Sequence, residues 1–240
     1  MDWGRMTQAQ RDAAYNNSAA VADAPTHNAA REAASTAFRA AHPGHLDLSY
    51  GPKPRNKWDL FPAKDPNAPC LVFVHGGYWQ RFTREQFCNL CIGPYEMGWS
   101  VALPGYTLCP EATMTEIAAE IRAALDWLAA NKAAHGIGGP VVLSGWSAGG
   151  HLAALCLDHP VVAAGFSFAG LFELGPIRDT FLNGALKLTD AEIETLSPLR
   201  LPMVPKPMHI AYGTAELPPL VADSRELHRV RSAQHLPGHL

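Results

Sequence analysis

The segment Val141-Val-Leu-Ser-Gly-Trp-Ser147-Ala-Gly-Gly150 places a serine between glycines two residues before it and two residues after it. An apolar run precedes this G-x-S-x-G pattern and an Ala/Leu run follows it. The pattern therefore predicts a strand, a sharp turn and a helix, with Ser147 at the apex. A turn that sharp strains the backbone of the serine and crowds the positions two residues away, so Gly145 and Gly149 are the side chains that fit. The hydroxyl of Ser147 then stands clear beside a helix N-terminus, whose dipole favours developing negative charge. That is the placement of a nucleophile for acyl transfer.

Acyl transfer also needs hydrogen-bond donors for the oxyanion of the tetrahedral intermediate, each worth roughly 2.7–4 kcal/mol in the transition state. The stretch Leu71-Val-Phe-Val-His75-Gly76-Gly77-Tyr78-Trp79-Gln80 supplies a second apolar run that stops at a histidine and two glycines. Gly76 and Gly77 let the main chain approach a carbonyl oxygen with no Cβ in the way. The backbone N–H of Ala148, directly after the nucleophile, is the partner donor. His75 precedes the serine in the chain and is expected to brace this loop by hydrogen bonding rather than to act as the base.

The elements that must position these groups alternate. Strands are predicted at Lys57–Leu60, Cys70–Val74, Trp99–Leu103, Pro140–Leu143, Ala163–Phe168 and Pro207–Tyr212, and helices at Ala148–Leu157 and Pro219–Ser232. Thr113-Met-Thr-Glu116 is a capping-box pattern opening a further helix, with Ile117, Ile121, Leu125 and Leu128 on one face. Apolar strands without alternation are buried on both faces, and strands separated by helices pair in parallel. The expected architecture is an open, mostly parallel α/β sheet with helices on both faces, whose site lies at the carboxyl ends of the strands. Residues 1–50 are expected to form a helical and extended cover, and 171–206, without a strong strand, a helical insertion and candidate lid. The whole of 1–240 reads as one domain.

Composition narrows the function classes. The chain of 240 residues is 48% hydrophobic and 17% charged, with a formal net charge of −3, which suits one globular domain. No basic block points to nucleic acid or an anionic membrane. The polar N-terminus lacks the apolar core of a secretory signal, and no apolar run approaches the ~18–20 residues that span a bilayer. Five cysteines at irregular spacing fit reduced thiols in a cytoplasmic protein. Cys88-Asn-Leu-Cys91 is a lone C-x-x-C, read as helix packing. The eleven histidines show no H-E-x-x-H or H-x-H spacing, so no metal or other cofactor is expected. The partner expected is a small ester or amide, and a homodimer is a candidate assembly.

HGGYW at 75–79 together with GWSAGGH at 145–151 resembles the α/β-hydrolase superfamily, and within it the arylformamidase (kynurenine formamidase) branch and its esterase relatives. Gly105-Tyr-Thr-Leu-Cys-Pro-Glu111 is similar to the Y-x-L-x-P-E segment of hormone-sensitive-lipase-like esterases. The resemblance covers roughly residues 70–227. It implies the α/β-hydrolase fold, a serine hydrolase without cofactor, and an aromatic pocket lined by Tyr78 and Trp79. It also implies the chain order Ser, acid, His. Glu216, in the turn after the strand at 207–212, matches the acid that holds the imidazole in its working tautomer. Asp223 is the weaker candidate, inside the following helix. Beyond that helix the histidines are His235 and His239. His239, in a Gly-His turn, has the better position, yet the His-Phe pair of the family is absent. The expectation is therefore a chain that ends before its true base. The alternatives are a short-acyl carboxylesterase and a catalytically silent ligand-binding scaffold.

Overall fold

A computed structural model describes residues 3–240; the first two residues of the expected N-terminal cover lie outside the described residues. Eight strands form one sheet: β1 His45–Ser49, β2 Lys57–Phe61, β3 Cys70–Val74, β4 Ser100–Pro104, β5 Val141–Trp146, β6 Val162–Phe168, β7 Met208–Ala211 and β8 Gly238–His239. Their order across the sheet is β1-β2-β4-β3-β5-β6-β7-β8. β2 runs antiparallel to β1 and to β4, and every later pairing is parallel. β3 is buried at all five positions, as an unalternating apolar run in a two-sided sheet should be.

The helix Met114–Asn131 opens with the Thr113–Glu116 capping box and buries Ile117, Ile121, Leu125 and Leu128. With the helices Ala148–Leu155 and Pro218–Ala233 it supplies buried side chains to the larger core cluster. A second cluster joins Phe38 of the helix Ala24–Ala41 to Leu71, Phe73, Phe87, Cys88 and Cys91. Cys88 and Cys91 pack there as free thiols whose pKa burial raises, in agreement with the packing reading of the C-x-x-C. The 24–41 helix is fastened by Ser35, whose hydroxyl donates to Asn89 at 3.1 Å, and by Arg39, which pairs with the fully buried Asp59 of β2. It packs on residues 84–91 and meets β2, where the Phe38 and Phe61 rings lie 5.0 Å apart, and the sheet is more open at β6. There Phe168 is 40% exposed, beside a cavity of about 480 Å³ lined in part by Phe73, Trp146, Phe166 and Phe168.

Several expectations need correction at the edges. β1 carries an exposed pattern at four of its five positions and was not predicted. The tail after the last helix, where no strand was predicted, contributes the two residues of β8. His239 therefore sits in a strand, not in a turn. The segment 171–206 is helical in short pieces, Gly175–Arg178, Asn183–Leu186 and Asp190–Leu196. It is rooted in the core through Leu171, Phe172, Leu174, Ile177 and Ile193. N-terminal residues tie it down further: Trp3 Nε1 donates to Asp179 at 3.2 Å, and the Phe181 N–H donates to Asp12 at 2.8 Å. No described helix is long and apolar enough to cross a membrane.

Candidate active site

Ser147 has φ 56° and ψ −118°, a combination that L-residues hold only when the surrounding structure enforces it. The enforcement is visible. Its N–H donates to the Phe168 carbonyl at 2.8 Å, its carbonyl accepts from His151 at 3.0 Å, and β5 and the 148–155 helix meet at it directly. A Cβ on Gly145 would lie 2.2 Å from the Gly149 carbonyl oxygen, and one on Gly149 would lie 1.9 Å from the Val74 carbonyl oxygen. Both glycines of the motif are thus required by close backbone approach, as the spacing suggested.

The His75–Trp79 loop crosses beside the serine. A Cβ on Gly76 would come within 2.7 Å of the Trp146 carbonyl oxygen and 3.2 Å of the Ser147 Cβ, so the Gly76 backbone lies against the nucleophile. Gly77 has φ +114°. The N–H groups of Gly76, Gly77 and Ala148 find no acceptor among the described residues, which leaves them available to an oxyanion. His75 is fully buried between Tyr106, stacked at 4.3 Å, and Phe87. Burial lowers its pKa to about 3, against a small opposing effect of its bond to Gly76. Its neutral ring donates from Nδ1 to the Gly76 carbonyl at 2.8 Å, and the Tyr106 hydroxyl holds the His75 carbonyl at 3.0 Å. His75 braces the loop.

Ser147 opens into a cavity of about 390 Å³, within the usual range for small-molecule sites. Glu216 lines it from the turn after β7. Its carboxyl is half-buried, and burial raises its pKa against the favourable N–H of Leu217. Tyr78 lines it too, its hydroxyl donating to Asn17 at 3.0 Å. Trp79 does not. It is fully buried and set edge-on to His151 at 5.0 Å, so it packs the core, and the aromatic walls are Tyr78, Phe82 and Trp146. The covering role expected of 171–206 falls to residues 17–31, whose Asn17, Ser18, His27 and Arg31 line the cavity. The sequence led to the expectation of a cover from residues 1–50 but not of its place over the cavity, because the Ala-rich N-terminal region gives no signal of which face it covers.

The histidines fall elsewhere. His151 is buried, its pKa lowered by burial to about 4, and its Nε2 donates to the Leu196 carbonyl at 2.7 Å. His239 pairs with His209, the second residue of β7, and stacks on its ring at 5.1 Å. It stands toward the amino end of β7, whereas Glu216 lies past the carboxyl end. His235 is exposed in the turn after the last helix. His27 lines the cavity, but it is paired with Asp23 at 3.0 Å on its own helix. No described histidine is hydrogen-bonded to Glu216.

Asp223 has a structural task. It accepts from the N–H groups of Phe172 at 2.7 Å and Glu173 at 3.1 Å, tying the last helix to the loop after β6. Burial dominates and raises its pKa to about 7 despite those two donors, with the Glu173 charge adding to the rise. A carboxyl whose folded pKa is raised stabilises the fold most below its unfolded value, and that stability is lost as pH climbs through the folded value. The wild-type chain is therefore expected to lose about 2 kcal/mol of unfolding free energy between about pH 5 and pH 8 relative to Asp223→Asn. Urea denaturation of both proteins at the two pH values checks this, and parallel pH dependence would contradict it.

Comparison with known proteins agrees with this geometry. The sequence profile of the BD-FAE family matches residues 59–157, from β2 through the elbow helix. The kynurenine formamidase of Danio rerio is 28% identical over 165 residues, covering 65% of this chain and 55% of the relative. Esterase LipQ of Mycobacterium tuberculosis is 33% identical over 136 residues, covering 51% of this chain and 32% of that protein. The chain thus spans about half the length of the formamidases it matches. Among solved structures, a candidate thioesterase from Silicibacter sp. superposes with a TM-score of 0.86 at 31% identity, covering 95% of this chain and 88% of that one. Esterase B of Lactobacillus rhamnosis shares the fold, with a TM-score of 0.72 at 20% identity over 92% of this chain and 82% of that one. Strand order, the strained serine between its two glycines and these similarities agree: the chain belongs to the α/β-hydrolase superfamily and is similar to proteins of its arylformamidase and esterase branch.

Proposed function

We propose that this chain is a serine hydrolase of small esters or aryl-formamides, with Ser147 forming the acyl-enzyme. The observation that carries the reading is the left-handed Ser147 facing a cavity beside uncommitted backbone N–H groups. In the proposed reaction the Ser147 hydroxyl adds to the substrate carbonyl, and the Gly76, Gly77 and Ala148 N–H groups take the oxyanion. Collapse of the tetrahedral intermediate expels the alcohol or aniline and leaves the acyl group on Ser147. Water then adds to the ester and releases the acid. Glu216 is assigned the role of orienting the imidazole that takes the Ser147 proton and delivers it to the leaving group, and then does the same for the attacking water. No described histidine is bonded to Glu216, so the proposal assigns this imidazole to no particular histidine. Tyr78, Phe82 and Trp146 offer faces and edges for an aniline ring.

The kynurenine formamidase similarity favours the formamide substrate. The comparison that tests it is kcat/KM for N-formylkynurenine against p-nitrophenyl acetate. The formamide is expected to be at least as good a substrate, and a preference for the ester of about a hundredfold or more, roughly 2.7 kcal/mol in transition-state stabilisation, would favour a short-acyl carboxylesterase. A second reading rests on a separate observation, the lack of any described histidine bonded to Glu216. It makes the chain a ligand-binding scaffold, and binding of either compound without turnover is its signature.

A further inference from the structure

We infer that the Ser147 cavity selects ligands carrying a carboxylate, and that Arg31 is the residue that reads it. The inference deepens the proposed function and rests on it for the role of the cavity. Arg31 projects from the 24–41 helix into the lining of the cavity that also holds Ser147. Its guanidinium lies 4.6 Å over the Phe82 ring and 4.2 Å over the Phe87 ring, and its Nε donates to the Gln86 carbonyl at 3.2 Å. Those contacts fix the plane of the fork. The described hydrogen bonds use Nε alone, so both terminal nitrogens keep their donors.

The charge balance is what points to an anion. Among the described residues, arginines 39, 84, 122, 178, 200 and 229 are paired with carboxylates. Arg31, like Arg11, Arg55, Arg81, Arg225 and Arg231, is not, but Arg55 and Arg231 spend their nitrogens on backbone carbonyls, and of this group Arg31 and Arg81 line the Ser147 cavity. A half-buried guanidinium resting on two aromatic faces has lost part of its hydration, and a charge so placed is favoured by an opposite charge brought into contact with it. Arg81 adds to the same lining. It is likewise without a carboxylate partner, and its Nη1 meets the Ser18 hydroxyl at 3.3 Å. Glu216, a carboxylate in the same lining, takes no described bond from either arginine. A planar fork with two free ends matches a carboxylate in bidentate geometry. A ligand of the expected class would set its reactive carbonyl at Ser147, its ring against Tyr78 and Trp146, and its carboxylate at Arg31.

Binding, rather than turnover, tests this separately from the hydrolase reading. The dissociation constants of 4-phenylbutyrate and of its uncharged amide, 4-phenylbutyramide, are measured by calorimetry on Ser147→Ala protein, so that no reaction intervenes. The acid is expected to bind at least tenfold more tightly than the amide at low salt, with the ratio shrinking as salt rises. Arg31→Gln is expected to bring the two ligands to equal affinity, and Arg31→Lys to keep part of the ratio, since it keeps the charge and loses the fork. Equal affinities in the parent protein, no detectable binding of the acid, or an unchanged ratio in Arg31→Gln would each overturn the inference. If Arg31→Gln loses both ligands through damage to the Phe82–Phe87 packing, Arg31→Lys decides: a ratio still at the parent value overturns it, and a reduced ratio supports it. Failure of the hydrolase reading would appear elsewhere, as a lack of ester and formamide turnover in the unsubstituted chain, and would leave this ratio untouched.

Discussion

Ser147→Ala is expected to lower kcat/KM on a p-nitrophenyl ester by roughly 10³-fold or more, with no loss of folding stability. The size follows from the behaviour of catalytic groups that act as a unit, where removing the nucleophile removes nearly all the advantage of its partners. The unchanged stability follows from the geometry. Alanine keeps the Cβ and meets the same demand at φ 56°, and the hydroxyl makes no described hydrogen bond that the fold would lose. Steady-state kinetics beside a thermal melt provide both readouts. A variant that keeps more than about a tenth of the parent rate would remove Ser147 from the mechanism, because a loss that small is about 1.4 kcal/mol, too little for a nucleophile.

Gly149→Ala carries the largest expected structural effect. The added Cβ would lie 1.9 Å from the Val74 carbonyl oxygen, 2.6 Å from its carbon and 2.8 Å from the His75 carbonyl oxygen. All three are backbone atoms at the end of a fully buried central strand, so none can swing aside as a side chain would. Relief requires the elbow helix to move away from β3, which would shift the oxyanion loop and the nucleophile together. A loss of about 3 kcal/mol or more is expected, beyond ordinary overpacking, together with loss of activity. Gly184→Ala is the control, since nothing lies within 4 Å of the Cβ it would add; it is expected to change stability by about 0.5 kcal/mol or less. Urea denaturation of the two variants checks the contrast, and equal midpoints would contradict it.

How far the sequence foretold this arrangement depends on the range over which each feature is determined. The elbow is local. Strand, glycine, serine, glycine and helix lie within about fifteen residues, and backbone crowding alone dictates them, so β5, Ser147 and the helix after it were legible. The burial of β3 was legible for a similar reason, as an unbroken apolar run. β1 was not, because an exposed edge strand has neither apolar alternation nor a continuous run to mark it. That residues 1–50 form a cover was legible, but its place over the cavity was not, because the determinants of that placement are distant. The bonds from Tyr78 to Asn17 and from Arg81 to Ser18 join residues 61 and 63 positions apart. Tyr78 and Trp79 show the limit of adjacency: neighbours in the chain, both at positive φ, yet one faces the cavity and the other the core. Glu216 was proposed from chain order and lies in the turn after β7 lining the cavity, whereas His239 was misplaced because a two-residue edge pairing gives no pattern to read.

The nucleophile itself can be observed directly. The unsubstituted chain is treated with a fluorophosphonate, which phosphonylates activated serines, and digested, and the peptides are weighed by mass spectrometry. The expected result is a single adduct on the peptide containing Gly145–Gly149, located at Ser147 by fragmentation and missing from Ser147→Ala protein. An adduct on another residue, or an unmodified Ser147 in protein that hydrolyses esters or formamides, would contradict the account.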